Sequence, residues 1–164
     1  MVNIIEKENL EFRKLNTNDK NLFIKLRFEY FVMDEFDMTG IEKDEIEDNL
    51  GKYFDENIEN NNFLGIICEH KNKIISAAYL AINKMPPNPH FINGKTGTLL
   101  NVFTYPEYRN QGIATELIKK IIEEAKKENI SQINLSATKS GEKMYKKLGF
   151  KESKYTQMNV KIEL

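Results

Sequence analysis

Apolar positions recur along this chain in two rhythms, one of period two and one of period three to four, and their order predicts the elements. Leu10, Phe12 and Leu15, separated by charges, predict a first strand. Thr17 then stands where a side chain can cap a helix running to about Met33, with Asp19 suiting its first turn. Leu22, Leu26, Tyr30 and Met33 fall on one face of that helix. Ile46, Leu50, Tyr53 and Phe54 repeat the spacing in a second helix that begins near Gly40. Residues 63–68 and 74–82 are apolar and β-rich, and His70, Lys71, Asn72 and Lys73 between them predict a hairpin buried on both faces.

Pro86, Pro87 and Pro89 remove backbone donors and fix φ, so residues 84–97 are expected to form a loop. A β-branched and apolar run over 98–104 predicts the next strand. Ala114, Leu117, Ile118, Ile121, Ile122 and Ala125 then trace one buried helix face, while Glu116 with Lys120 and Glu123 with Lys127 can pair on the other. Residues 130–135 make a short strand carrying Ile133 and Leu135. Ser140 can cap a helix over 141–148 that Gly149 ends, and Met158, Val160 and Ile162 alternate in a last strand. Alternating strands and helices over residues 1–164, with no internal repeat or linker, predict a single α/β domain.

Composition narrows the partners. Hydrophobic residues at 40% and charged residues at 30% suit a globular protein with one core. A formal net charge of −1 lacks the basic surplus that phosphate neutralisation needs, so no nucleic acid is expected as a partner. No stretch reaches the roughly 18 apolar residues of a membrane span, and the N-terminal ten residues lack an apolar signal core, so no membrane partner and a cytoplasmic location are expected. One cysteine, Cys68, permits neither an internal disulfide nor a cysteine-based zinc site. Its place in an apolar run predicts a buried strand residue, and no metal is expected.

The chemistry concentrates after the strand 98–104. Pro106 leads into Arg109, Asn110, Gln111, Gly112, Ile113, Ala114 and Thr115, joining a strand, a tight turn and a helix N-terminus. Such a helix start has four unpaired N–H groups and about half a positive charge, which suits an anion. Gly112 allows a phosphate to approach the backbone, Ala114 is small enough to do the same, and Thr115 adds a hydroxyl. An ordinary helix start with a turn glycine would read the same way. Neither a P-loop nor a dinucleotide-binding fingerprint is present.

Residues 99–114, the later Leu135-Ser136-Ala137-Thr138, and Met144-Tyr145-Lys146-Lys147-Leu148-Gly149-Phe150 together resemble the GCN5-related N-acetyltransferase family. The likeness is specific from about residue 97 to 150 and extends in outline to nearly the whole chain. It implies a central, mostly antiparallel sheet flanked by helices, in which the strands ending near Thr104 and Leu135 splay apart to admit the pantetheine arm of acetyl-CoA. Val102, Phe103 and Thr104 would then offer backbone groups to pantetheine, and Asn110, Gln111, Gly112, Ile113, Ala114 and Thr115 would hold the pyrophosphate. Thr104 stands where the family often has valine, which leaves backbone bonding intact. Arg109 could reach the phosphates or close the turn, and Thr138 joins the cofactor-binding set.

Acetyl transfer to an amine needs a neutral nucleophile, a stabilised oxyanion and a proton for the departing thiolate. By the resemblance, Tyr145 stands at the position of the general acid; the alternative is a ring packed beneath Leu148 and Phe150. The oxyanion donor would be a backbone N–H near Phe103 or Thr104, at a strand bulge. No carboxylate lies in 98–104 to act as base. Glu29, Asp34, Glu35 and Asp37 fall where the first helices would approach the acceptor groove, with Glu35 the first choice of base and Glu29 a substrate-binding residue. Asn101 could fix a polar group of the acceptor. Glu42, Asp44, Glu45, Glu47 and Asp48 would attract a cationic amine, or simply form a solvated face. Residues 86–90 could form a lid, with His90 a weaker candidate base.

The expected activity is therefore transfer of acetyl from acetyl-CoA to a primary amine of a small molecule. A noncatalytic acyl-CoA-binding or interaction domain is the rival reading, and a protein or peptide N-acetyltransferase keeps the same chemistry. A homodimer paired through sheet edges or residues 155–162 is compatible with the pattern.

Overall fold

In the computed structural model, which describes residues 5, 6 and 9–163, five strands form one sheet in the order β1-β2-β3-β4-β5. The strands are β1 (Leu10–Lys14), β2 (Phe63–His70), β3 (Lys73–Lys84), β4 (Lys95–Thr104) and β5 (Gln132–Asn134). β1 to β4 run antiparallel to their neighbours, and β5 joins β4 in parallel. The helices α1 (Lys20–Met33) and α2 (Lys43–Ile58) precede β2, α3 (Ile113–Lys127) bridges β4 and β5, and α4 (Lys139–Lys147) follows β5.

The sheet is apolar on both faces because β2 and β3 carry buried side chains to each side. Phe63, Ile67, Ala77 and Tyr79 meet Phe23 and Leu26 of α1 and Phe54 of α2. Ile66, Cys68, Ala78 and Leu80 meet Ile113, Leu117, Ile118, Ile121 and Ala125 of α3. The helical stripe seen in the sequence is thus the face that α3 lays on the sheet. Phe23 is the centre of an aromatic cluster, with ring centroids 5.0 Å from Phe54, 5.2 Å from Phe63 and 5.3 Å from Tyr79. Cys68 lies in this core as expected, and burial pushes its thiol up to about 12, so it stays protonated and inert near neutral pH.

Several local expectations change. Asn16, not Thr17, caps the entry to α1: its side chain accepts from the Asn18 N–H while Asp19 accepts from the Asn16 N–H. Thr138, not Ser140, caps α4, accepting from the Gly141 N–H at 3.2 Å. The loop is shorter than predicted, since β4 already begins at Lys95. Gly149 does end α4, in the left-handed region at φ 94°. The last predicted strand does not form: residues 151–163 are exposed and in no strand, with Met158, Val160 and Ile162 all facing solvent. Alternation makes a strand only where a ladder partner exists, and β5 is only three residues long.

Candidate active site

β4 carries a bulge that reorients its second half. Tyr79 pairs with Leu100 and Ala77 with Phe103, so Ala78 opposes both Asn101 and Val102. Asn101 takes up the extra residue at φ 56°, in the left-handed region that asparagine tolerates better than most side chains. In consequence Leu99 and Val102 pack toward α3, while Leu100 and Phe103 pack toward α1 and α2.

The sheet opens beside this bulge. β4 pairs with β5 only from Thr96 to Thr98, opposite Gln132 to Asn134, and then runs six residues further without that neighbour. Its far end is held firmly. Ser76 Oγ donates to the Phe103 carbonyl at 2.6 Å and lies 2.9 Å from Thr104 Oγ1, and Arg109 Nε donates to the Thr104 carbonyl at 2.9 Å. Arg109 therefore closes the turn; the rest of its side chain is exposed.

A short 3-10 turn, Pro106–Tyr108, carries the chain from β4 to α3. Asn110 and Gly112 are both left-handed, at φ 62° and 79°, and no side chain among the described residues caps the start of α3. A Cβ on Gly112 would meet nothing within 4 Å. Among the described residues no side chain takes up the N–H groups of this first turn, a kind of helix start that suits an anionic group such as pyrophosphate. Ala114 and Thr115 are partly exposed there, Ile113 is buried in the core, and Gln111 Oε1 accepts from the Ile5 N–H at 2.9 Å.

Tyr145 of α4 is half-buried, its ring edge-on to Phe150 at 5.7 Å. Burial, and secondarily Tyr30, push its phenol up to about 12. Tyr145 packs with Met144, Leu148 and Phe150 against the α3 side of the sheet. The Tyr145 hydroxyl has no hydrogen-bond partner among the described residues.

Among the sequence-predicted acids, Glu29 is drawn to β4 and Glu35 is not. The hydroxyl of Tyr105, the residue after β4, donates to Glu29 Oε2, and burial followed by this bond to a carboxylate raises the Tyr105 pKa. Glu35 is exposed in the turn after α1 at φ 53°. Glu42, Asp44, Glu45, Glu47 and Asp48 are exposed at the start of α2, where Asp44 and Glu45 favour the helix N-terminus. Residues 85–94 lie at the opposite end of β4 from Thr104. They are tied to the α3–β5 connection by Asn93 Nδ2 donating to the Asn129 carbonyl at 2.7 Å, and His90 is exposed. Thr138 spends its hydroxyl on the α4 cap.

Arg27 and Tyr105 were missed in the sequence. Arg27 Nη1 donates to Asn101 Oδ1 at 3.1 Å, and its guanidinium stacks 4.6 Å over Phe31. Asn101 is 1% exposed, and both its Nδ2 and the Tyr79 hydroxyl are buried without partners. The left-over donor signal was invisible because α1 and β4 are far apart in sequence.

A sheet that opens between two parallel strands beside an uncapped, glycine-led helix is the frame of an acyl-CoA-dependent transferase. The acetyltransferase (GNAT) domain family matches residues 34–164. A predicted acetyltransferase from Clostridium acetobutylicum, solved with acetyl-CoA, is 31% identical, covering 92% of this chain and 96% of its own, with a TM-score of 0.81. A GCN5-related N-acetyltransferase from Ralstonia eutropha shares the fold at 20% identity, covering 92% and 98% of the two chains, with a TM-score of 0.76. Glucosamine-6-phosphate N-acetyltransferase from Arabidopsis thaliana does so at 18% identity, covering 94% and 99%, with a TM-score of 0.67. No protein of curated function matches the sequence. The chain belongs to the GCN5-related N-acetyltransferase family and is an acetyl-CoA-dependent N-acetyltransferase. Its helices include none long and apolar enough to cross a membrane among the described residues, which likewise hold no cluster of metal-ligating side chains.

Proposed function

We propose that this protein transfers acetyl from acetyl-CoA directly to the primary amine of a small molecule. The observation that carries this reading is the end of the β4–β5 ladder at Thr98, while β4 continues to Thr104 and delivers the chain to the uncapped start of α3. Pantetheine would add along the open edge of β4. Ser76 and Arg109 already claim the carbonyls of Phe103 and Thr104, so the backbone of Val102 is the first choice for its amides. The N–H groups of residues 110–115 would take the pyrophosphate.

The bulge at Asn101 and Val102 interrupts the ladder one or two residues before the expected position and offers backbone N–H to the oxyanion. Tyr145 would protonate the leaving thiolate. A phenol at about 12 is a weaker acid than one in water, but it is fully protonated at neutral pH. A thiolate leaving into the same buried setting is destabilised too, which narrows the gap between the two pKa values. Glu29, partly buried and held by Tyr105, takes the role of base better than the exposed Glu35. The whole chain acts as one domain, and its lone cysteine suits the cytoplasm.

Calorimetric titration with acetyl-CoA, followed by thiol release across a panel of amines, tests the reading. Binding with turnover on at least one small amine is expected. Binding without turnover on any amine would instead make the protein a noncatalytic acyl-CoA-binding domain, and preference for peptide acceptors would make it a protein acetyltransferase.

A further inference from the structure

Arg27 sits in an unusual electrostatic position. Arg13, by contrast, is paired with Asp19 at 2.8 Å and Glu69 at 3.4 Å. No carboxylate among the described residues pairs with Arg27, whose hydrogen bond goes to the neutral Asn101 and whose flat face rests on Phe31. Glu29, two residues on, turns to Tyr105 and Lys25 instead. Burial pulls the Arg27 pKa down, as expected for a cation taken from water with no counter-charge.

The groups around it are donors that lack acceptors. Asn101 Oδ1 is used by Arg27, which leaves Nδ2 buried and unpaired, and the Tyr79 hydroxyl is buried and unpaired as well. Tyr79 is near enough that the Arg27 charge lowers its pKa against the larger effect of burial. The guanidinium keeps further donors beyond its one bond to Asn101 Oδ1, and the Asn101 amide N–H and the Tyr79 hydroxyl are unpaired, so an anion that brings oxygens of its own would satisfy donors that the protein leaves open. Asn101 is also the bulge residue, immediately before the Val102 backbone assigned to pantetheine. An anion on Arg27 would therefore lie within a few bonds of an amine attacking the thioester.

We propose that Arg27, backed by Asn101 and Tyr79, anchors a carboxylate or phosphate carried by the acceptor, so that the substrate is an amine bearing an acidic group. This rests on the acetyltransferase reading above. It runs against attraction of a polycation by the early acids: those side chains are solvated on α2, and a polyamine would place its charge against Arg27.

The test compares acceptors that differ only in the acidic group: amino acids against their carboxamides, and aminoethyl phosphate against ethanolamine, with spermidine as a polycation. Thiol release is measured for the wild type, Arg27→Gln and Arg27→Lys. One acid-bearing series should exceed its neutral partners by about tenfold or more in kcat/KM, the scale of one charge-assisted hydrogen bond. Which series does so separates carboxylate from phosphate. Arg27→Gln should reduce that ratio to near one by raising the acceptor KM, with the acetyl-CoA KM unchanged, and Arg27→Lys should retain part of it. Preference for spermidine or neutral amines, or an equal loss on both partners in Arg27→Gln, overturns the anchor while leaving the transferase intact. If Arg27→Gln fails to fold, the wild-type ratio and Arg27→Lys decide. No turnover on any acceptor despite acetyl-CoA binding would instead remove the transferase reading, and the anchor with it.

Discussion

The hydroxyl of Tyr105 donates to Glu29, and this bond ties the end of β4 to the middle of α1. The pair brings a carboxylate to the strand that has none of its own between residues 98 and 104. If Glu29 accepts the proton of the amine, Glu29→Gln should lower kcat by about 10²-fold, the usual scale for a general base, with little change in the acetyl-CoA KM. Tyr105→Phe frees the carboxylate without removing it, so a smaller loss is expected. Steady-state kinetics on the two variants, with Glu35→Gln beside them, checks the assignment: an effect at Glu35 and none at Glu29 would reverse it.

The buried phenol of Tyr145 gives a prediction about pH. A general acid must be protonated, and a pKa raised from the ordinary 10 to about 12 moves the loss of that proton upward. The kcat profile should therefore show no alkaline decline from this group through pH 10, where an unshifted tyrosine would already be half ionised. Tyr145→Phe should lower kcat by about 10²-fold or more while circular dichroism and acetyl-CoA binding are retained. Retained kcat would leave the ring as packing against Phe150 alone.

What the sequence revealed and what it hid divide along a physical line. The α3 stripe was legible because Leu117, Ile118 and Ile121 satisfy one local period whatever they pack against. The tight turn into α3 was legible because Gly112 and its neighbours act through their own backbone. The bulge was not, since it depends on how β3 and β4 are registered across Ala78. Nor was the Arg27–Asn101 bond, whose partners are 74 residues apart. Met158, Val160 and Ile162 show the converse: their alternation says which face a strand would have, but not that a partner strand is there.

Stability should respond to pH through Asp19. Burial works to raise its pKa, but the bonds from Arg13 and the Asn16 N–H outweigh that and hold it below the ordinary carboxylate value. A depressed folded pKa stabilises the protein above the unfolded value near 4, and the contribution is lost as pH falls through the folded value. Asp19→Asn should thus cost about 1 kcal/mol at pH 7, or roughly 2–4 °C in Tm for a domain of this size. The difference between variant and wild type should shrink as thermal unfolding is repeated below pH 4. A constant difference would mean that shape in the capping box, and not charge, supplies the stabilisation.

Gly112 combines two demands that substitution can separate. At φ 79° any side chain strains the backbone by roughly 1 kcal/mol. A Cβ there would also project into open space at the mouth of α3, where the pyrophosphate is proposed to bind. Gly149 shares the left-handed backbone, at φ 94°, and its Cβ would likewise meet nothing, but it ends α4 and lies outside the proposed cofactor turn. Gly112→Val and Gly149→Ala should both lower Tm, by a few degrees at most for the strain alone. Only Gly112→Val should weaken acetyl-CoA binding, by about tenfold or more, because the side chain holds phosphate away from the N–H groups of the first turn. Titration calorimetry on both variants distinguishes the two effects: unchanged affinity in Gly112→Val would leave that glycine with a conformational role only and would move the pyrophosphate away from this turn.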